Sequence, residues 1–89
     1  MRTILLSEYS SNMGILIDVR NPIDYNQSHD PRSINIYADK LILNHKTLLD
    51  KNKTYYIVCS KGHLSKKVVY HLNYLGYDVI QVINDWIDF

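Results

Sequence analysis

The 89 residues of the chain are expected to form one domain, residues 1–89, because a chain this short buries only about 60% of its unfolded surface and cannot support two cores. A hydrophobic share of 46% and a charged share of 21% exclude a disordered chain. The net charge of +1 excludes a chain-wide basic field for nucleic-acid binding, and no apolar run approaches the roughly 20 residues of a membrane span, so a cytoplasmic location and no membrane contact are expected.

The N-terminal residues predict two strands separated by a turn. Ile4–Leu6 favours a short first strand, and Ser7–Met13 a helical turn or loop closed by Gly14. The run Ile15–Val19 is short, rich in β-branched residues and apolar on both alternating faces. This pattern is typical of a central strand in a parallel sheet that is covered on both sides.

The middle of the chain predicts a helix, a strand and a second helix. Asn21 is typical of an N-cap and Pro22 of a first helical position, which predicts a helix that ends near Gln27. Ser33–Ile36 then predicts a strand and Asp39–His45 a helix, and a second short helical turn is expected at Leu48 and Leu49.

The second half contains the strongest strand and the strongest helix. Thr54–Val58 is the best strand by residue type and ends at Cys59. Ser65 is expected to cap a helix that stops at Gly76. The apolar residues that recur at helical spacing in this helix are Val68, Leu72 and Leu75.

The C-terminal residues predict a last strand at Tyr77–Val82, followed by a turn in which Trp86 closes the core. Strands that alternate with helices imply an α/β fold with right-handed crossovers. We therefore expect a small, mainly parallel sheet flanked by helices, in three layers.

Cys59 is the candidate reactive residue. In an open α/β sheet, ligands bind beyond the carboxyl ends of the strands, and Cys59 lies at such an end just before a helix. Amide groups at the start of that helix, with a turn at Gly62, favour an anion on the sulfur. Positive charge near this point comes from Lys61, Lys66 and Lys67.

Simpler interpretations of the same residues remain open. Cys59 could be a small buried hydrophobe, since free cysteine is among the most buried residue types. The lysines could form a solvated helix face. His63 is expected to be an exposed loop residue rather than a general base, because no companion histidine and aspartate pattern indicates a cysteine-protease triad.

The cysteine and histidine content limits the cofactor chemistry. A single cysteine excludes an internal disulfide and a dithiol cycle within the chain. None of the four histidines has a paired ligand spacing with Cys59. No metal and no cofactor are expected.

Three stretches together resemble the rhodanese-like family. Leu16–Pro22, followed by Tyr25, is similar to the family's Asp-Val-Arg signature. Ser28–Ile36 is similar to its Gly-His-Ile-Pro-Gly-Ala-Ile-Asn-Ile segment, and Ile57–Ser65 resembles its Cys-x-x-Gly-x-Arg-Ser loop. The resemblance extends from about Ile15 to Trp86.

The resemblance implies a sulfurtransferase in which Cys59 accepts a sulfane sulfur as a covalent persulfide. Backbone amides of the following residues would hold that persulfide: Ser60, Lys61, Gly62, His63, Leu64 and Ser65. Asp18 and Arg20 would brace the edge of the loop, and Lys66 would add positive charge. The implied partners are a small anionic sulfur donor and a thiol or protein acceptor, and a monomer is expected.

The chain departs from the family pattern near the candidate site. Leu64 stands where the family loop usually has arginine, Arg32 and Ser33 replace a Gly-Ala pair, and Asn84-Asp85 replaces Gly-Gly. Losing the arginine removes a fixed cation with five hydrogen-bond donors. The alternative to a sulfurtransferase is therefore a catalytically weak binding or regulatory module with the same loop.

Overall fold

A computed structural model describes residues 1–89 and contains a five-stranded sheet in which every neighbouring pair of strands is parallel. In chain order the strands are β1 (Thr3–Leu5), β2 (Ile15–Asp18), β3 (Ser33–Asn35), β4 (Thr54–Val58) and β5 (Asp78–Ile83). Their order across the sheet is β1-β5-β4-β2-β3, so β4 is the central strand. The predicted α/β class and parallel sheet are confirmed.

Four α-helices connect the strands: α1 (Pro22–Gln27), α2 (Ala38–Leu43), α3 (His45–Leu48) and α4 (His63–Tyr74). Two 3-10 turns, Leu6–Glu8 and Ser11–Met13, link β1 to β2. None of the helices combines the length and the apolar character needed to cross a membrane.

The two faces of the sheet bury separate apolar clusters. Along β4 the side chains alternate, so Tyr55 and Ile57 contact the larger cluster beneath α2 and α4, while Tyr56 and Val58 contact the smaller one on the opposite face. The larger cluster contains 13 buried residues and the smaller one 7. A continuously apolar strand is therefore required at the centre. The strand predicted to be central, Ile15–Val19, is the interior strand β2, next to β4.

The register of the central strands places their carboxyl ends side by side. Asp18 at the end of β2 pairs with Val58 at the end of β4. The backbone ladder continues one step further, because the Val19 amide donates to the Val58 carbonyl at 3.1 Å. Residues that follow both strands, including Arg20 and Cys59, therefore meet at one edge of the sheet.

The predicted helix at Asp39–His45 is α2, which ends at Leu43, and the helical turn predicted near Leu48 and Leu49 is α3. The Asn44 side-chain amide donates to the Lys40 carbonyl at 2.9 Å. The backbone angles of Asn44, φ −116° and ψ 26°, leave the helical range. Asn44 thus ends α2 and the chain turns before α3 begins.

The prediction that Trp86 closes the core is wrong, since its side chain is 65% exposed. The Asn84 side chain organises this turn: its oxygen accepts from the Ile87 amide at 3.0 Å, and its nitrogen donates to the Ile87 carbonyl at 2.6 Å. The turn directs Ile87 rather than Trp86 inward, and Ile87 packs with Phe89 against the smaller apolar cluster.

Candidate active site

The candidate site is the loop that joins the end of β4 to the start of α4. Cys59 directly follows the central strand and is only 3% exposed. The chain reverses at Gly62, whose φ of +88° lies in the left-handed region that glycine adopts most readily. This turn directs backbone N–H groups back toward the cysteine.

The Cys59 sulfur lies among three groups able to donate hydrogen bonds to it. The backbone amides of Gly62 and Ser65 each donate to Sγ at 3.2 Å. The Ser65 hydroxyl oxygen is 3.3 Å from the same sulfur. Donors that converge on one atom at a helix N-terminus favour a negative charge on that atom.

The predicted role of Ser65 as an N-cap is wrong. Helix α4 begins at His63, and Gly62 occupies the cap position without any side-chain hydrogen bond. Ser65 lies in the first turn and is fully buried. Its hydroxyl is engaged inside the loop, because it lies 3.2 Å from the Gly62 carbonyl as well as close to the cysteine sulfur.

Gln81 on β5 supports the loop from below and was not predicted from the sequence. Its side-chain amide nitrogen donates to the Gly62 carbonyl at 2.9 Å and to the Ser65 hydroxyl at 3.1 Å. Gln81 is 5% exposed. In the sequence, Gln81 is the one polar residue within the apolar run Val79–Ile83. Because side chains alternate along a strand, it faces the same side of the sheet as Val79.

An open depression of about 280 Å³ lies over the cysteine. Its walls come from the ends of β2 and β4 and from the first turns of α1 and α4. The lining residues are Arg20, Asn21, Asp24, Tyr37, Cys59, Ser60, Lys61, His63 and Leu64. The structure therefore brings the predicted loop residues and Arg20 together around one opening that can admit a small anion.

Two predicted cations do not contribute to this depression. Lys66 and Lys67 are exposed on α4 and line a different surface, with Tyr70 and His71. Successive helical residues are turned by roughly 100° about the axis, so the residues that follow the inward-facing Ser65 point to solvent. Positive charge at the opening comes from Arg20 and Lys61, with His63 as a titratable neighbour.

Asp18 and Arg20 form a buried ion pair at the edge of the loop. The Arg20 guanidinium donates through Nε and Nη2 to both carboxylate oxygens, at distances from 2.8 to 3.1 Å. The Asn35 side chain donates to the carbonyls of both residues, at 3.0 and 2.8 Å. The guanidinium also donates to the Ser28 carbonyl at 2.6 Å and lies 4.0 Å from the centre of the Phe89 ring, so it is held by these partners.

No group of three or more His, Cys, Asp or Glu side chains is arranged to hold a metal ion. The site presents a cysteine sulfur surrounded by N–H and O–H groups, beneath a depression that Arg20 and Lys61 line.

Comparison with known proteins identifies the family. The sequence matches the rhodanese-like domain family over residues 3–86. The chain belongs to this family. It is also 38% identical, over 77 residues, to the adenylyltransferase and sulfurtransferase uba4 of Ogataea parapolymorpha. This match covers 80% of the rhodanese-like chain but 19% of that protein, so the chain corresponds to a small part of it.

Solved structures of rhodanese-like proteins have the same fold. A rhodanese-related protein from Thermoplasma volcanium superposes with a TM-score of 0.83 at 28% identity, covering 93% of this chain and 84% of that one. A rhodanese with anions from E. coli superposes with a TM-score of 0.68 at 30% identity, covering 79% and 85%. The rhodanese-like architecture predicted from three sequence stretches is confirmed.

Leu64 occupies the position at which the rhodanese-like loop usually carries arginine. Its side chain is half-buried, packs against the larger apolar cluster and also lines the depression over Cys59. The fixed cation of this position is therefore replaced by an apolar wall, and Arg20 and Lys61 are the basic groups that line the opening.

Proposed function

We propose that this rhodanese-like chain is a sulfurtransferase or persulfide carrier, in which Cys59 takes up a sulfane sulfur and passes it to a thiol or other nucleophile. The observation that carries the proposal is the convergence of the Gly62 and Ser65 amides and the Ser65 hydroxyl on the cysteine sulfur. A cysteine buried only for packing has no need of such donors. The similarity to a sulfurtransferase over most of the chain supports the same chemistry.

Uptake of sulfur from thiosulfate illustrates the first step. The Cys59 thiolate attacks the outer sulfur of thiosulfate and its electron pair forms a new S–S bond. The S–S bond of thiosulfate breaks, and its electron pair leaves with sulfite. The product is a Cys59 persulfide whose terminal sulfur carries the negative charge, so the donor groups of the loop still face an anion.

Delivery of the sulfur reverses the role of Cys59. An acceptor thiolate attacks the terminal sulfur of the persulfide, and the electron pair of the broken S–S bond returns to Cys59 as a thiolate. Hydrogen bonds that stabilise this thiolate favour it both as a nucleophile and as a leaving group. The sulfur is carried on the protein itself, and the cycle requires no bound cofactor.

The side chains at the opening set the class of donor. Arg20 and Lys61 favour a small anion, as in thiosulfate or a polysulfide. Arg20 is already paired with Asp18, however, and the Asp24 carboxylate lines the same depression. The attraction for a doubly charged donor is therefore weaker than an arginine at position 64 would provide.

A binding module is the second candidate function, and Leu64 is the observation that favours it. In that case the loop would bind an anion or a partner protein without turnover, because the apolar wall leaves the donor without a fixed guanidinium. The two candidates differ in one measurable respect, since only the sulfurtransferase forms a covalent product on Cys59.

Intact-mass analysis after incubation with thiosulfate or with a polysulfide separates the two functions. The sulfurtransferase is expected to gain one sulfur atom, which dithiothreitol removes. Cys59→Ser is the matched control and is expected to gain none. If the unmodified mass persists with both donors while the protein remains folded, the proposed function is wrong and the binding module is favoured.

A further inference from the structure

Gln81 occupies an unusual position for a polar side chain in the centre of the sheet. It lies on β5 beneath the loop, and the group it contacts most closely is the Gly62 carbonyl, at 2.9 Å. Its other partner is the Ser65 hydroxyl, at 3.1 Å. Both contacts are to residues that also contact the cysteine sulfur or donate to it.

The Ser65 hydroxyl has one hydrogen and two acceptors within reach of it. One acceptor is the Gly62 carbonyl at 3.2 Å and the other is the Cys59 sulfur at 3.3 Å. When Cys59 is a thiol, its S–H donates to the hydroxyl oxygen, and the hydroxyl hydrogen is free to bond the carbonyl. When Cys59 is an anion, the sulfur needs the hydroxyl hydrogen for itself.

The amide of Gln81 removes this competition. Its two N–H groups bond the Gly62 carbonyl and the Ser65 oxygen simultaneously. The Lys66 amide also donates to that carbonyl, at 3.1 Å, so both lone pairs of the carbonyl oxygen keep a donor when the hydroxyl hydrogen turns to the sulfur. Without Gln81, the second lone pair of the carbonyl competes with the anionic sulfur for the hydroxyl hydrogen. In the thiol state the hydroxyl hydrogen can fill that lone pair, so the benefit falls on the anion.

We propose that Gln81 is a positioning residue that stabilises the anionic sulfur of Cys59 by releasing the Ser65 hydroxyl to donate to it. The role rests on the proposed function, because that anion is both the nucleophile of sulfur uptake and the leaving group of sulfur delivery. Gln81 does not line the depression. It therefore acts through Ser65 rather than on a substrate.

Gln81→Met tests the proposal, since methionine is similar in volume and has no donor. The readout is the pH profile of Cys59 alkylation by iodoacetamide, followed by intact mass, because the thiolate is the species that reacts. The midpoint is expected to move to higher pH by about half a unit or more, since hydrogen bonds to a charged group favour the charged form. Gln81→Leu, which also lacks the amide donors and adds no charge, is the second variant if Gln81→Met does not fold, and the same direction is expected.

The titratable groups around the opening are the same in the parent and in the variants. Arg20, Asp24 and Tyr37 face Cys59 from β2, α1 and the segment before α2, and Lys61 and His63 from its own loop. Differences between the pH profiles therefore report the hydrogen bonds beneath the sulfur.

Two further variants separate positioning from stability. Val79→Ala removes apolar volume from the same face of β5 and is expected to lower the unfolding temperature without moving the midpoint. Ser65→Ala alone is expected to move the alkylation midpoint to higher pH. The double variant Ser65→Ala with Gln81→Met should move it little further, because both substitutions act through the Ser65 hydroxyl hydrogen. A Gln81→Met profile that superposes on the parent profile, or a shift that adds in full to that of Ser65→Ala, would overturn the proposal.

Alkylation requires no sulfur donor, so the two hypotheses can fail separately. If the parent chain never gains sulfur but Gln81→Met moves the alkylation midpoint, the proposed function is wrong and the role of Gln81 stands. If the parent chain gains sulfur but Gln81→Met leaves the alkylation midpoint unchanged, only the proposed role of Gln81 is wrong.

Discussion

Leu64 lies where the loop of Cys59 meets the apolar core of the α2 and α4 face. Its side chain contributes to both regions, since it lines the depression and packs against the larger cluster. An arginine placed there would have its stem against the cluster and its guanidinium toward the opening, as long basic side chains commonly do.

Leu64→Arg is expected to raise the rate of persulfide formation from thiosulfate by roughly tenfold or more. The reason is that each charge-assisted hydrogen bond to the sulfonate oxygens contributes about 1.5–3 kcal/mol. The measurement is the rate of mass gain under single-turnover conditions. Cys59→Ser should abolish the gain in either background.

Leu64→Met controls for repacking, because it changes the shape of the side chain but adds no cation. A Leu64→Arg variant that keeps the parent unfolding temperature yet gains sulfur no faster than Cys59→Ser would contradict a thiosulfate sulfurtransferase.

Gly62→Ala is expected to slow sulfur uptake as well as to destabilise the chain. The space around Gly62 would admit a methyl group, but its φ of +88° costs a residue with a side chain about 1–2 kcal/mol. Gly76 has a similar φ of +95° at the far end of α4, so Gly76→Ala imposes a similar backbone cost away from the sulfur. The free energy of unfolding and the rate of sulfur uptake are measured for Gly62→Ala and Gly76→Ala. Equal loss of uptake in the two variants would contradict the prediction.

The residues of the site differ in how far the sequence could reveal them. Cys59 and the turn at Gly62 were predicted because their chemistry follows directly from their place between a strand and a helix. Gln81 was not, because its partners are 16 and 19 residues away and only the packing of β5 under α4 brings them together. The local sequence of a buried strand shows that a polar residue needs a partner but not which one it has.

At the scale of elements, α4 connects the site to the core. The first turn of α4, which contains Ser65, contacts Cys59, while Val68 and Leu72 further along the helix are buried against the central strands. The first turn of the helix can hold its amides on the sulfur only if the rest of the helix is fixed by this packing.

Leu72→Ala is expected to lower the free energy of unfolding by about 2–5 kcal/mol, because it leaves a cavity at a fully buried position. Tyr74→Ala is the control on the same helix, since Tyr74 is 86% exposed, and it should change stability by less than about 0.5 kcal/mol. Chemical denaturation of both variants provides the measurement. A Leu72→Ala midpoint equal to that of the parent would contradict the packing of α4.

The order and type of the elements could be predicted, whereas several of their ends could not. Apolar periodicity identified every strand, with each boundary within one residue of the observed one. The ends of the elements depend on single polar side chains whose hydrogen-bond partners are set by tertiary packing or by one particular turn. Asn44 ends the predicted second helix two residues early, and Asn84 turns Trp86 outward.

At the scale of the whole molecule, Asp30 and Arg32 connect the segment before β3 to the N-terminal turns. The guanidinium donates to both oxygens of Asp30, at 3.0 and 2.7 Å, and to the Tyr9 carbonyl at 2.9 Å. Hydrogen bonds from Arg32 hold the pKa of Asp30 below its usual range. Burial raises the pKa of Tyr9, against the opposing effect of the same arginine.

The stability of the fold should fall in acid because of carboxylates such as Asp30. Its pKa is lower in the folded chain than in the unfolded chain, so its contribution is complete above the unfolded value of about 4 and is lost as pH falls through the folded value. Asp30→Asn is expected to cost about 1–3 kcal/mol at pH 7 and to weaken this acid dependence. Asp88→Asn removes an exposed carboxylate and serves as the control. Parallel stability curves for Asp30→Asn and the parent between pH 7 and about pH 2 would contradict the prediction.

The fate of one labelled sulfur atom tests the central claim most directly. The chain is loaded with thiosulfate labelled at its outer sulfur, freed of excess donor and mixed with a small thiol, and the label is followed in the peptide that contains Cys59 and in the thiol. We predict one labelled sulfur on Cys59 after loading, and its appearance in the thiol as the Cys59 peptide returns to its original mass. Label that never attaches to Cys59, or that remains there when the thiol is added, would contradict it.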